Sequence, residues 1–263
     1  MVSMTEFNKS SELFHWRVIA ASVRGKSHEK VGQLCQDAHH WEKLPDGVLV
    51  AAVADGAGSA TLGKVGAIVA AQTAVEICLH AHKPRHDDGE GWQEVLSDAL
   101  VAAKKAVEAE AVVCKMTARD LATTLILVIA TPKLIAAAQV GDGVAVAGDA
   151  RGNIIALTTP QRGEYANETT FLVSPNALDT AQINLWHGTP ANIAILSDGL
   201  QLLALEVGEG TPHTPFFSPL FNFITAVTDE PEAKEQLVAF LRSPRIAERT
   251  DDDLTLLLAT LVS

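Results

Sequence analysis

LATTLILVIATPKLIAAAQVGDGVAVAGDARGNIIAL, residues 121–157, is the stretch that decides the fold. It divides into apolar runs at 121–130, 133–140, 144–148 and 153–157, each of strand length and bounded by turn residues. The connectors are Thr-Pro-Lys, Gly-Asp-Gly and Asp-Ala-Arg-Gly. A parallel crossover needs about a dozen residues or more, so connectors this short predict antiparallel neighbours, here a four-strand meander.

Further strands are predicted on either side, at 16–23 (WRVIAASV), directly after Asp37, at 48–54 (VLVAAVA), at 192–197 (NIAILS) and at 254–261 (LTLLLATL). Helical spacing runs from Ser59 to about His82 and over 92–115, and two more helices are expected at 215–228 and 231–242, the second opening on Pro231. Residues 158–190 read as irregular and polar. The order predicts an α+β fold with mainly antiparallel sheet. No linker divides the chain, so 1–263 is expected to be one domain, with 1–15 a flexible lead-in.

The 263 residues are 48% apolar and 20% charged, a balance that supports a sizeable core rather than disorder. Twenty Lys+Arg against 32 Asp+Glu give a net charge of −12, which argues against a nucleic-acid partner or an anionic membrane surface. No apolar run approaches the ~18–20 residues of a membrane span, and the N-terminus lacks the apolar region of a signal peptide. Cys35, Cys78 and Cys114 form no C-x-x-C pair and are expected to be reduced thiols of a cytoplasmic protein.

Apolar strands run repeatedly into Asp-Gly: Asp55–Gly56, Asp142–Gly143 and Asp198–Gly199. The last strand follows Asp251–Asp252–Asp253, and Asp37 precedes another strand. Carboxylates gathered at strand ends without Lys or Arg between them repel one another, and a hard divalent cation relieves that repulsion. Oxygen ligands favour Mg²⁺ or Mn²⁺. Asp-Gly is also a common hairpin turn, and for Asp142 that reading competes evenly. It is weaker for Asp55 and Asp198, which precede helical sequence.

GSATLGKV (58–65) approaches the P-loop pattern G-x-x-x-x-G-K-[ST], but Val65 stands where the Mg²⁺-binding hydroxyl belongs and the meander is wrong for a parallel sheet. Gly56-x-Gly58 lacks the third glycine of a dinucleotide fingerprint. There is no G-x-S-x-G elbow, and the nine His show no zinc spacing.

RGKSHEKVGQLCQDA (24–38), VADGAGSA (53–60), ATTLILVIA (122–130), VGDG (140–143), YANETTFLVS (165–174), ILSDGL (195–200) and DDDLTLLLATL (251–261) together resemble the metal-dependent PPM (type 2C) serine/threonine protein phosphatases, bacterial branch, over roughly 20–261. The resemblance implies a four-layer sandwich of two mainly antiparallel β-sheets flanked by pairs of α-helices. It implies two Mg²⁺ or Mn²⁺ ions sharing a bridging water that attacks a phosphomonoester in line. By motif, Asp55 would bridge both ions, the Gly56 carbonyl would bind one, and Asp198 and Asp252 would bind the other. Asp37 would hold metal-bound waters from the second shell, and Asp142 matches a residue implicated in a third metal.

The sequence departs from the family at four places. Gln36 stands where a Glu is common, and Gly32 where the phosphate-binding Arg is usual, leaving Arg24 or His28 as phosphate ligands. Ala57 stands in place of a leaving-group His, and Leu202 in place of another Asp for the third ion. The implied partners are a phosphoprotein substrate and a cognate Ser/Thr kinase, with 158–190 as a substrate-contacting loop. The competing readings are a pseudophosphatase that binds partners without turnover and a P-loop nucleotide hydrolase.

Overall fold

The computed structural model describes residues 14–81, 84–161, 169–206, 208 and 210–262. One five-stranded sheet has the order β1 (His15–Val23), β10 (Leu254–Val262), β9 (Pro190–Leu196), β6 (Val144–Asp149), β7 (Ile154–Ala156). The other runs β2 (Ala38–Leu44), β3 (Val48–Ala54), β4 (Leu125–Ala130), β5 (Leu134–Val140), β8 (Gln182–His187). Every strand pairing among the described residues is antiparallel. That excludes the parallel sheet a P-loop fold requires.

The period-2 pleat sends each strand's side chains to two cores. In β3, Val48, Val50, Ala52 and Ala54 pack under α2 (Gly63–His80) and α3 (Gly89–Val113). Leu49, Ala51 and Val53 face the other sheet. In β10, Leu254, Leu256 and Leu258 meet α5 (Thr214–Ala226) and α6 (Glu230–Leu241), while Leu257 and Ala259 turn into the space between the sheets. Two-sided burial is why these strands are unbroken apolar runs rather than alternating ones. The result is helices, sheet, sheet, helices, as the resemblance implied.

The predicted meander is two hairpins in different sheets. β4 pairs β5 and β6 pairs β7, but β6's other neighbour is β9, not β5. The Gly141–Gly143 connector crosses between the sheets. Four Cα steps reach up to ~13 Å, enough to bridge sheets stacked ~10 Å apart, so a short connector does not require a hairpin. Gly141 takes φ +112°, and a Cβ on Gly143 would press the Ile126 side chain and the Leu196 carbonyl.

Residues 158–190 are not wholly irregular. β8 lies within them and pairs with β5 in register from Leu134↔His187 to Gln139↔Gln182. Its half-exposed edge position gives it no clean hydrophobic alternation to read. Helix α2 begins at Gly63, later than Ser59, because residues 55–62 form the turn that bends back over Thr123. The short helices α1 (Lys26–Lys30), α4 (Gln201–Ala204) and α7 (Pro244–Ala247) carry too few residues to show a period. Residues 1–13 of the expected lead-in and 162–168 of the expected substrate loop lie outside the described residues. Among the described residues, all three cysteines are free and no helix is long and apolar enough to cross a membrane.

Candidate active site

Strands from both sheets end at one cavity of about 450 Å³, and Asp55, Asp142, Asp198 and Asp252 all line it, with Gly56 and His28. Among the described residues no Lys or Arg stands in its wall. Asp55 leaves the end of β3. Its backbone is fixed from the 122–124 segment: Asp55 N donates to Thr124 Oγ1 (3.0 Å), and its carbonyl accepts from Thr123 Oγ1 (2.9 Å) and Thr124 N (2.8 Å). Asp198 opens a single helical turn after β9. A Cβ on Gly199 would overlap the Asp253 carbonyl, so Gly lets the β9 end pass close against the β10 start. Asp142 rides the crossing between sheets, its Oδ2 accepting from Thr169 Oγ1 at 2.7 Å. It is therefore no hairpin turn.

Asp37 lies behind this group, fully buried, its Oδ2 accepting from Ser197 Oγ at 2.7 Å. The Asp55 carboxyl is within hydrogen-bonding reach of those of Asp37 and Asp198. Burial raises the Asp55 pKa well above the usual carboxylate range, and the charges of Asp37 and Asp198 add to it. Asp198 is pushed up to about 7 by burial, then by the charges of Asp142, Asp252 and Asp37. Asp37 is pushed up to about 6 by burial, against the opposing hydroxyls of Ser197 and Thr255. Burial also raises Asp142, with Thr169 opposing.

The donor set suits a hard divalent cation. It is all oxygen, and Asp37 Oδ1 and Asp198 Oδ1 are buried without a hydrogen-bond partner. Among the described residues no three His, Cys, Asp or Glu side chains form a ready cage. The carboxylates are spread along the cavity wall, an arrangement that leaves room for water ligands, as Mg²⁺ prefers.

The two phosphate candidates separate. His28 lines the cavity, buried at 8% exposure, with Nδ1 2.9 Å from Asp253 Oδ2. Arg24 is not in the wall; its Nη1 donates to the Gln33 carbonyl at 3.1 Å from an exposed position. Asp253, beside the predicted ligand Asp252, turns inward. It is 2% exposed and also accepts from Gly25 N (2.6 Å) and Gln36 N (2.5 Å). The triple-Asp run carried the signal, but sequence does not say which member turns inward.

Gln36 works as an amide. Its Oε1 accepts from Lys64 N at 2.9 Å and its Nε2 donates to the Leu34 carbonyl at 2.6 Å, which a carboxylate could not do. The P-loop-like Lys64 donates its ammonium to the Asp37 carbonyl. Ala57 is buried against Ala60 and Ala122, and Leu202 is 75% exposed.

The profile of the family described as Protein phosphatase 2C matches residues 24–242. The chain is 36% identical over 255 residues to Serine/threonine-protein phosphatase 3 of Escherichia coli (strain K12), across 93% of this chain and 98% of that one. Among solved structures it is similar to the catalytic domain of the serine threonine protein phosphatase PstP in complex with two manganese ions, with TM-score 0.63, 16% identity, and coverage of 95% of this chain and 100% of that one. It is also similar to the serine/threonine phosphatase Stp1 from Staphylococcus aureus, with TM-score 0.65, 14% identity, and coverage of 94% and 95%.

Proposed function

The chain belongs to the protein phosphatase 2C family and is a metal-dependent protein serine/threonine phosphatase, and we propose that Asp55, Asp198 and Asp252 are the residues around which its chemistry is built. The observation that carries this assignment is their meeting in one cavity, where Asp198 Oδ1 is buried with no donor. Asp55 would serve two Mg²⁺ or Mn²⁺ ions, the Gly56 carbonyl one of them, and Asp198 and Asp252 the other. Asp37 would act from behind, and Asp142 would serve a third ion at most. When bound, such a pair lowers the pKa of a water between them and offsets charge on the phosphoryl oxygens.

The protein's own groups do the rest. Thr123 and Thr124 hold the Asp55 backbone, so its carboxyl is aimed before anything binds. Asp253 accepts from His28 Nδ1, which leaves Nε2–H of the imidazolium form to donate to the phosphoryl group. The acidic wall repels a phosphate dianion while the site is empty of cations, so substrate binding follows cation binding. Substrates are phosphoproteins; a Ser/Thr kinase as the opposing enzyme and substrate contact by 158–190 extend the reading. One core shared by both sheets supports a single domain, and the free cysteines suit a reducing cytoplasmic setting.

The test is hydrolysis of p-nitrophenyl phosphate and phosphothreonine peptides with Mg²⁺, with Mn²⁺ and with chelator. Turnover only with cation is expected. Cation binding without turnover would favour the pseudophosphatase, and neither would overturn the assignment.

A further inference from the structure

The mouth of this cavity has an apolar rim that the phosphate chemistry does not use. Val31 lines the cavity and is 68% exposed; Leu34, on the same loop, is 72% exposed. Few large apolar side chains among the described residues stand this far into solvent, and these two share one four-residue stretch, of which Val31 and Gln33 line the cavity. Single exposed apolar residues are unremarkable, but a cluster beside a binding cavity marks an interaction surface.

The loop is also held in place. Gly32 N donates to the Glu29 carbonyl (3.2 Å), and Gln33 N to the His28 carbonyl (2.9 Å). The Gln33 carbonyl accepts from Arg24 and the Leu34 carbonyl from Gln36. Gln36 N is tied in turn to Asp253. Gly32 sits at φ +71° in open space, turning the chain so that Val31 and Leu34 do not fold under. Apolar side chains fixed in water at little further entropic cost are preorganised to bind.

We propose that Val31 and Leu34 form a subsite for an apolar side chain of the substrate protein next to its phosphorylated Ser or Thr. This rests on the phosphatase assignment and adds a substrate class to it. The occupant follows from continuity with the cavity: Val31 lines the same cavity as Asp55, so a polypeptide whose phosphoryl group reaches Asp55 brings its flanking side chains near Val31. Phe171, half-buried, lines the same cavity and adds a second apolar surface. Arg24, which could have drawn an acidic flank, is bound to Gln33.

The experiment uses the Mg²⁺-loaded full chain and phosphothreonine peptides. Each peptide carries one Leu at one of the two positions on either side of the phosphothreonine, and a Gln-flanked peptide is the reference. At least one Leu peptide should exceed the reference in kcat/KM by about fivefold, the effect of partly burying one aliphatic side chain. In the Val31→Ser/Leu34→Ser double variant that preference should fall below about twofold, with turnover of the Gln peptide little changed. Both positions are exposed, so folding should be unaffected, and a circular dichroism spectrum checks it. No Leu preference in the unmodified chain, or the same preference in the double variant, overturns the subsite. Absent turnover of p-nitrophenyl phosphate by the unmodified chain would instead strike the phosphatase assignment.

Discussion

His28 and Asp253, 225 positions apart, are joined by a 2.9 Å hydrogen bond from Nδ1 to Oδ2. Asp253 already accepts from two backbone N–H groups, which makes Nδ1 the donor. The pair ties the N-terminal loop to the last acidic run.

Asp253→Ala leaves Gly25 N, Gln36 N and His28 without their acceptor in a buried place. The expected loss is about 3 kcal/mol, since each orphaned donor costs ~1–3. In a chain of this size that lowers Tm by roughly 6–12 °C. Thermal denaturation followed by circular dichroism measures it, and an unchanged Tm would show that the contact carries no stability.

His28→Ala and Arg24→Ala should separate in steady-state kinetics on a phosphothreonine peptide. Loss of a charge-assisted donor to phosphate costs ~1.5–3 kcal/mol, so kcat/KM for His28→Ala should fall about 10- to 100-fold. Arg24→Ala, whose guanidinium serves the Gln33 carbonyl, should stay within about threefold. The reverse ranking would move the phosphate contact to Arg24.

The buried carboxyls set the stability of the chelated protein. Asp37 is raised to about 6, Asp198 to about 7 and Asp55 well above the usual range. Unfolded, each titrates near ~3.9, so the folded chain holds protons that the unfolded chain would release. Their contribution is full below about pH 4 and is lost as pH rises through the folded pKa values. His39, pushed down to about 4 by burial, acts oppositely below about pH 6.5, so the window above that is the clean one. Chelated protein should melt lower at pH 8 than at pH 6.5, and Mg²⁺ should raise Tm more at pH 8. A Tm flat across that window, with or without Mg²⁺, contradicts the clustering.

Asp55→Asn and Asp198→Asn should lose at least about 100-fold in kcat with Mg²⁺. Each also removes one of several crowded charges. In chelator at pH 8 both variants should therefore be more stable than the unmodified chain, by about 1 kcal/mol or ~2–4 °C. Function and stability move in opposite directions, which mere structural damage would not produce.

Much of the fold was legible because β3, β4, β5 and β10 are covered on both faces, so their apolar runs stand out. β8 was not, since an edge strand with one weakly apolar face looks like loop. The partner of β6 was hidden for another reason: Gly141–Gly143 is short enough for a hairpin and long enough to change sheets. In the site, Asp55, Asp142 and Asp198 announced themselves at strand ends. The inward turn of Asp253 did not, because it depends on Gly25 and Gln36 arriving from the other end of the chain. Gly66, inside α2, is a point of close approach, where a Cβ would overlap the Leu121 carbonyl, a need that helical spacing alone does not show.

The C-terminal strand lies between β1 and β9, in register with the first strand from His15↔Val262 to Val23↔Leu254. During synthesis this slot stays open until residues 254–262 clear the ribosome, and until then β1 and β9 offer bare edges to other polypeptides. Asp252 and Asp253 emerge immediately before that strand. A chain cut short before residue 252 lacks both Asp252 and the strand that joins β1 to β9, and its bare strand edges favour aggregation.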